Sequence, residues 1–268
     1  MGNRIVGTTG QIGSNRLLVD YAGNGDTTSL QAALDAAAVY ASASNRWLVQ
    51  VAPGTYEGRL ALKNYVDIAG LAPGAGVVIK ALSGSLFSTP ASCRISCCLL
   101  RTVDGTVVEA GSSFSGELVL DNVLIDQTPL DVSSLSVAGG TVKVCRSHLA
   151  AGGAAVISGG TLEIHHSTIR NQALSDGGSN AALSASGGTL IVYGSVIENT
   201  GAAGYGIYIS GTSAVLKLYH SLVRKKSSSY AVHSASANSN GLMVACGGNA
   251  ALHSNWTGFL DYVYDAAA

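Results

Sequence analysis

From residue 118 onward the chain repeats one arrangement of apolar and polar positions. Leu118, Leu120, Val123 and Ile125 set it, and Val142, Val144, Ser147 and Leu149 follow. The same frame then takes Leu162, Ile164, Ser167 and Ile169, next Leu190, Val192, Ser195 and Ile197, and next Leu216, Leu218, Ser221 and Val223. A degenerate last copy begins at Leu242 and Val244, and an earlier one sits in "ISCCLLRT". Between the first apolar residues of successive copies the steps are 24, 20, 28, 26 and 26 residues. A helical-hairpin repeat would be longer and would hold its period. A constant frame with variable filler suits short strands whose turns absorb insertions.

Each copy alternates apolar and polar residues, as a strand with one buried face does. A second short strand precedes it, in "AAVIS" (154–158), "AALSAS" (181–186), "YGIYIS" (205–210) and "AVHSAS" (231–236). A third follows the serine, as in "TIR" or "VIE". Gly-Gly, Gly-Thr or Asn-Gly pairs between the first two are turn chemistry. Three strands per turn predict an all-β, single-stranded parallel β-helix of about eight coils, a rod roughly 40 Å long at ~4.8 Å per coil. Each coil buries its Leu, Ile and Val only against its neighbours, so stability is collective.

The ends of such a rod expose strand edges that need covers. Residues 27–41 hold the one clear helix, expected over 29–41, with an N-cap between Asp26 and Ser29. Leu30, Ala33, Leu34 and Ala37 share one face of it, which makes it the N-terminal lid. "WTGFLDYVY" (256–264) is expected to cover the other end or to meet a second subunit. The expected organisation is an N-terminal segment (1–16), a cap (17–46), the β-helix (47–250) and a C-terminal cap or subunit-contact segment (251–268).

Composition narrows the function classes. With 47% hydrophobic and 12% charged residues, the chain is too apolar for disorder and too poor in Lys, Glu and Leu for a helical bundle. A net charge of −1, with no basic run beyond "RKK" at 224–226, argues against a nucleic-acid partner. No apolar run approaches the ~18 residues that span a bilayer, so membrane insertion is not expected. "MGNRIVGTTGQIG" has no signal-peptide core, which implies assembly inside a cell or a leader already removed. The five cysteines (Cys93, Cys97, Cys98, Cys145, Cys246) are an odd number with no four-ligand spacing. They read as buried free thiols. No metal and no cofactor is expected.

The stretch "LLVDYAGNGDTTSLQAALDAA", followed by "RWLVQVAPGTYEGRLALKNYVDIAGLAPGAGVVI", resembles the start of pectin methylesterases and, more widely, the pectate-lyase-like right-handed β-helix superfamily. The matching features are "GNGD", the "SLQAALDAA" helix, "APGTY" and the "VDIAG…VVI" strand pair, all within residues 17–79. The resemblance implies a right-handed β-helix behind an N-terminal cap. It implies no esterase activity, because the family's Q-D-T, G-x-V-D-F-I-F-G and L-G-R-P-W motifs are absent. Asp104 lies in a turn-like "DG", and Asp126 and Gln127 stand in the wrong order. No catalytic residue carries over. Homotrimers are common among fibres of this fold, so a homo-oligomer, the trimer first, is expected.

Stacked coils turn equivalent positions into surface rows. One outward row reads Asp121, Cys145, His165, Tyr193, Tyr219, and its neighbour Val119, Lys143, Glu163, Ile191, Lys217. An imidazole, two phenols and flanking charges suit a sugar ring, which has an apolar face and a polar rim. His165, Tyr193, Tyr219, Lys143 and Lys217 are therefore the expected glycan contacts, against the plainer reading of a stacked sheet surface. A further row, Asp126, Ala150, Arg170, Glu198, Arg224, reads as a charge ladder. His166 and His220 share a position two coils apart, with Gly194 between, too far for shared zinc ligation. The Ser147, Ser167, Ser195, Ser221 row reads as a hydroxyl ladder, and Asn171 and Asn199 as stacked turn residues.

Three functional classes follow. The leading one is a non-catalytic structural or adhesive module of a phage virion fibre, tailspike or surface appendage, located on a virion or cell exterior and touching cell-surface polysaccharide along one face. The alternative is a polysaccharide lyase, hydrolase or esterase working through Asp121, Asp126, Glu163 and Arg170. The third is a self-associating scaffold without a ligand.

Overall fold

The computed structural model describes residues 15–72, 74–88, 90–127, 132–172, 181–200, 204–225, 231–235, 240–244, 246–248 and 260–262. They form a parallel β-helix of three sheets with eleven, nine and six strands. One turn runs Thr141–Cys145 in the first sheet, His148–Ala151 in the second and Gly153–Ile157 in the third, and Thr161–His165 opens the next. Register is in phase from coil to coil, with Leu162 opposite Val142 and Leu190, and Ile169 opposite Leu149 and Ile197. All of these inward residues are fully buried.

The repeated motif has a physical reading at every position. Gly160 and Gly188 turn the chain into the first sheet at φ +62° and +69°, and a Cβ on either would fall within 2.7 Å of the glycine backbone one coil back. Leaving the first sheet, Cys97, Asn122, Arg146, His166, Gly194 and His220 all adopt left-handed φ between 47° and 57°. The residue after each corner faces inward. Oγ of Ser147, Ser167, Ser195 and Ser221 accepts the backbone N–H of the preceding coil's residue at 3.0–3.2 Å. Each hydroxyl then donates to the carbonyl two residues back at 2.7–2.8 Å. Cys98 and Cys246 hold the ends of this row, their thiols donating in the same way to Ser96 and Val244.

Four expectations need correction. Six strands in the third sheet allow six complete three-strand turns among the described residues, against the eight expected. Before Val108–Ala110 the chain passes through a Ser- and Pro-containing stretch where Phe87 makes only a single bridge to Val108. The helix covers Leu30–Ala38 and not 29–41, because Ser29 is its N-cap, taking the Ala32 N–H at 3.2 Å, and Val39 ends it. Its expected apolar face, Leu30, Ala33, Leu34 and Ala37, is the buried one and packs on the first strands of the first sheet.

The last repeat is one residue out of frame. Leu216 faces Gly241, so Leu242 lies opposite Lys217 and Val244 opposite Tyr219, on the outward side. A one-residue slip moves every side chain to the other face, and in "GLMV" no polar residue marks which face is which. Finally, Asn171 and Asn199 are not turn residues. They end the strands Thr168–Asn171 and Val196–Asn199 and point inward, buried to 0% and 2% exposure. Of the C-terminal segment, Leu260–Tyr262 extends the first sheet beside Asn240–Val244; the rest of the expected 251–268 cap lies outside the described residues.

Candidate ligand-binding face

The two outward rows of the first sheet stand in the expected register. Cys145 lies between Asp121 and His165, and Tyr193 between His165 and Tyr219. Lys143 lies between Val119 and Glu163, and Ile191 between Glu163 and Lys217. Alternation puts both rows on one face because their members are two residues apart.

Tyr193 is the centre of the face, and its residue is 40% exposed. Its ring lies 6.3 Å from those of His165 and Tyr219, tilted to both. His166 and His220 meet it edge-on at 5.4 and 5.6 Å, one from each flanking coil. The gap it fills exists because Gly194 carries no side chain in the corner row. His166 leans over that glycine so closely that a Cβ there would sit 2.7 Å from its Nδ1. The two histidines thus hold a tyrosine between them, and among the described residues no three His, Cys, Asp or Glu side chains form a metal-ligand group.

Charges are unevenly committed. Lys143 is held by Glu117 at 2.7 Å and by Glu163 at 3.7 Å, and its hydrogen bond to Glu117 raises its pKa. Glu163 also receives His165 Nε2 at 3.2 Å. Lys217, by contrast, has no ion-pair partner among the described residues. Toward the N-terminal coils the same face carries a network that the row analysis missed. Arg146 contacts both oxygens of the buried Asp121 at 2.6 Å, Arg94 approaches it at 3.9 Å, and Arg46 forks onto Asp67. A shallow cavity of about 390 Å³ opens there, lined by Arg46, Asp67, Arg94 and Glu117. Arg146 was hidden from the alternation because it projects from a left-handed corner and not from a strand.

The catalytic alternatives are brought to no common point. Asp126 and Arg170 sit on the second sheet, where Asp126 pairs with Arg101 and Arg170 with Glu198 at 2.8 Å. Ala150 separates the two pairs, so this row is a broken ladder. Asp121 and Glu163 are on the first sheet, each tied to cations. Burial, then the Arg170 charge, lowers the pKa of neighbouring His148.

None of the five cysteines forms a disulfide. Cys93, Cys98 and Cys246 are buried as expected, whereas Cys97 and Cys145 are half-buried, since one occupies a corner and the other the outward row. Desolvation pushes Cys93 and Cys98 up to about 12.

The architecture is thus an all-β parallel β-helix, the fold that the resemblance of residues 17–79 implies. No family model matches the chain, and no curated protein matches its sequence. Solved structures similar to it include a tailspike protein, gp49 of the Acinetobacter baumannii bacteriophage Fri1, a capsular polysaccharide depolymerase, at 10% identity and TM-score 0.48. That match covers 87% of this chain and 53% of the other, so the chain spans about half the tailspike's length. Carrot pectin methylesterase is similar at 11% identity and TM-score 0.42, over 97% of this chain and 91% of the enzyme. The A-module of the Azotobacter vinelandii mannuronan C-5 epimerase AlgE4 is similar at 11% identity and TM-score 0.37, over 91% and 96%.

Proposed function

We propose that the chain is a non-catalytic adhesive β-helix module that contacts cell-surface polysaccharide through the outward face of its first sheet. The observation that carries this reading is the half-exposed Tyr193 ring, braced by four neighbouring rings, with Lys217, which has no ion-pair partner among the described residues, in the adjacent row. A pyranose presents axial C–H groups to such a ring and its hydroxyls to the charged rim. Bracing also lowers the entropy lost on binding, because the ring is already held. His165, Tyr219 and Lys143 complete the contact set. In this reading the module belongs to a virion fibre, tailspike or surface appendage. It assembles as a homo-oligomer, the trimer first, with 17–46 as the cap of the 47–250 β-helix and 251–268 as a C-terminal cap or subunit-contact segment.

Acid–base catalysis is the weaker reading because Asp121, Asp126, Glu163 and Arg170 are all consumed in ion pairs. The test is a binding screen of purified protein on a broad glycan array, with the same wells assayed for released sugar or methanol. Binding without turnover, weakened about tenfold or more by Tyr193→Ala or Tyr219→Ala, is the expected result. Turnover would overturn it, and so would silence in both channels.

A further inference from the structure

The third sheet carries a second set of rings away from the first-sheet face. Its outward row reads Glu109, Ser136, Val156, Ser184, Tyr208, His233 from coil to coil. The Tyr208 and His233 rings are stacked, 5.7 Å between centroids and 11° between planes. Tyr205 joins them, 4.3 Å from His233 and 5.6 Å from Tyr208, with both planes within 12°. The result is a pavement of two phenols with an imidazole laid over it on the C-terminal side.

On the N-terminal side the row steps down to Ser184, a small half-buried residue, and then to Val156, which is 37% exposed. Tyr208 and Val156 are two coils apart, about 10 Å. That spacing admits one saturated ring in van der Waals contact with both, at roughly 3.5–4.0 Å on each side. The slot has an aromatic roof, an aliphatic floor and the Ser184 hydroxyl at its back. Among the described residues of its walls, 153–158, 181–186, 204–210 and 231–235, none is Asp, Glu, Lys or Arg.

We infer that this slot is a second carbohydrate site, taking one pyranose ring of a neutral glycan edge-in between Tyr208 and Val156. Aromatic and aliphatic walls select the apolar faces of the sugar, and Ser184 offers a donor and acceptor to a ring hydroxyl. An uncharged wall gives an anionic sugar no counter-charge to replace lost hydration. The site is independent of the first-sheet face, so the module would hold glycan on two sides.

Cellohexaose and maltohexaose serve as probes, titrated into the full chain and followed by saturation-transfer NMR and calorimetry. At least one should bind, with saturation transferred to sugar C–H protons. Tyr208→Ala should weaken it about tenfold or more, and Tyr193→Ala should change it less than about twofold. Ser184→Phe provides the folding control. It fills the slot and extends the ring stack, so it should abolish binding while leaving the unfolding midpoint unchanged or higher. Failure of both hexasaccharides to bind, or undiminished binding by Ser184→Phe, would overturn the inference. Loss on Tyr193→Ala alone would also overturn it, while leaving the first-sheet reading standing.

Discussion

Ser167 donates its backbone N–H to Oγ of Ser195 at 3.0 Å, one coil away, and the same hydroxyl donates to the Tyr193 carbonyl at 2.8 Å. One buried atom therefore takes the Ser167 N–H beside the left-handed corner and adds a second donor to the Tyr193 carbonyl, which also accepts the His166 N–H at 2.9 Å. A donor and an acceptor on one short side chain serve both contacts. This is why serine recurs, and why cysteine replaces it at Cys98 and Cys246.

Removing that hydroxyl should be costly. Ser195→Ala leaves the Ser167 N–H without its partner inside the coil, a loss of about 1–3 kcal/mol. Ser195→Cys, the substitution the row itself makes at its ends, should lose less than the alanine variant. Urea unfolding of the three proteins decides the order, and an alanine variant as stable as the parent would sink the ladder's role.

Gly194 should tolerate no side chain. Its φ of +56° costs an alanine about 1–2 kcal/mol, and the new Cβ would push His166 off the Tyr193 ring. Gly194→Ala is expected to lower the unfolding midpoint and to weaken glycan binding together. Gly194→Asn should recover part of the stability, because asparagine accepts this backbone region more readily. Equal stability of Ala, Asn and Gly variants would contradict the steric argument.

The Arg170–Glu198 pair is expected to be structural and weak. Both side chains keep contact with water, at 42% and 24% exposure, so a double-mutant cycle should return a coupling of about 0.2–1 kcal/mol. Glu198→Gln should leave glycan binding unchanged. Collapse of binding or of any turnover in that variant would move the functional centre to the second sheet.

Thiol reactivity should follow burial. Cys93 and Cys98, held protonated up to about 12 by desolvation, should resist an aromatic disulfide reagent at pH 8, while the half-buried Cys97 and Cys145 react first. The linked stability has a definite sign. The folded chain keeps these two protons where the unfolded chain, with thiols near 9.0, releases them. Their contribution is thus complete below pH 9 and lost as pH rises toward 12. Replacing both with serine should flatten that alkaline decline, and an unchanged decline would assign it to other groups.

Much of this molecule was legible in the chain. Alternation with a fixed inner frame determined the strands, their inward faces and the coil stacking, because side chains on a strand have a period of two and only one phase buries Leu162, Ile164 and Ile169. The lid helix was equally local, an N-cap serine and one apolar stripe. Tertiary structure decided what the frame could not. Loop lengths vary between coils, so which residue sits above which is settled only when the coil closes. That closure slips Leu242 to the outer face opposite Lys217, ties Lys143 to Glu117 and fits Tyr193 into the gap above Gly194. It also lays His233 over Tyr205 and Tyr208, a contact between residues that no local period connects.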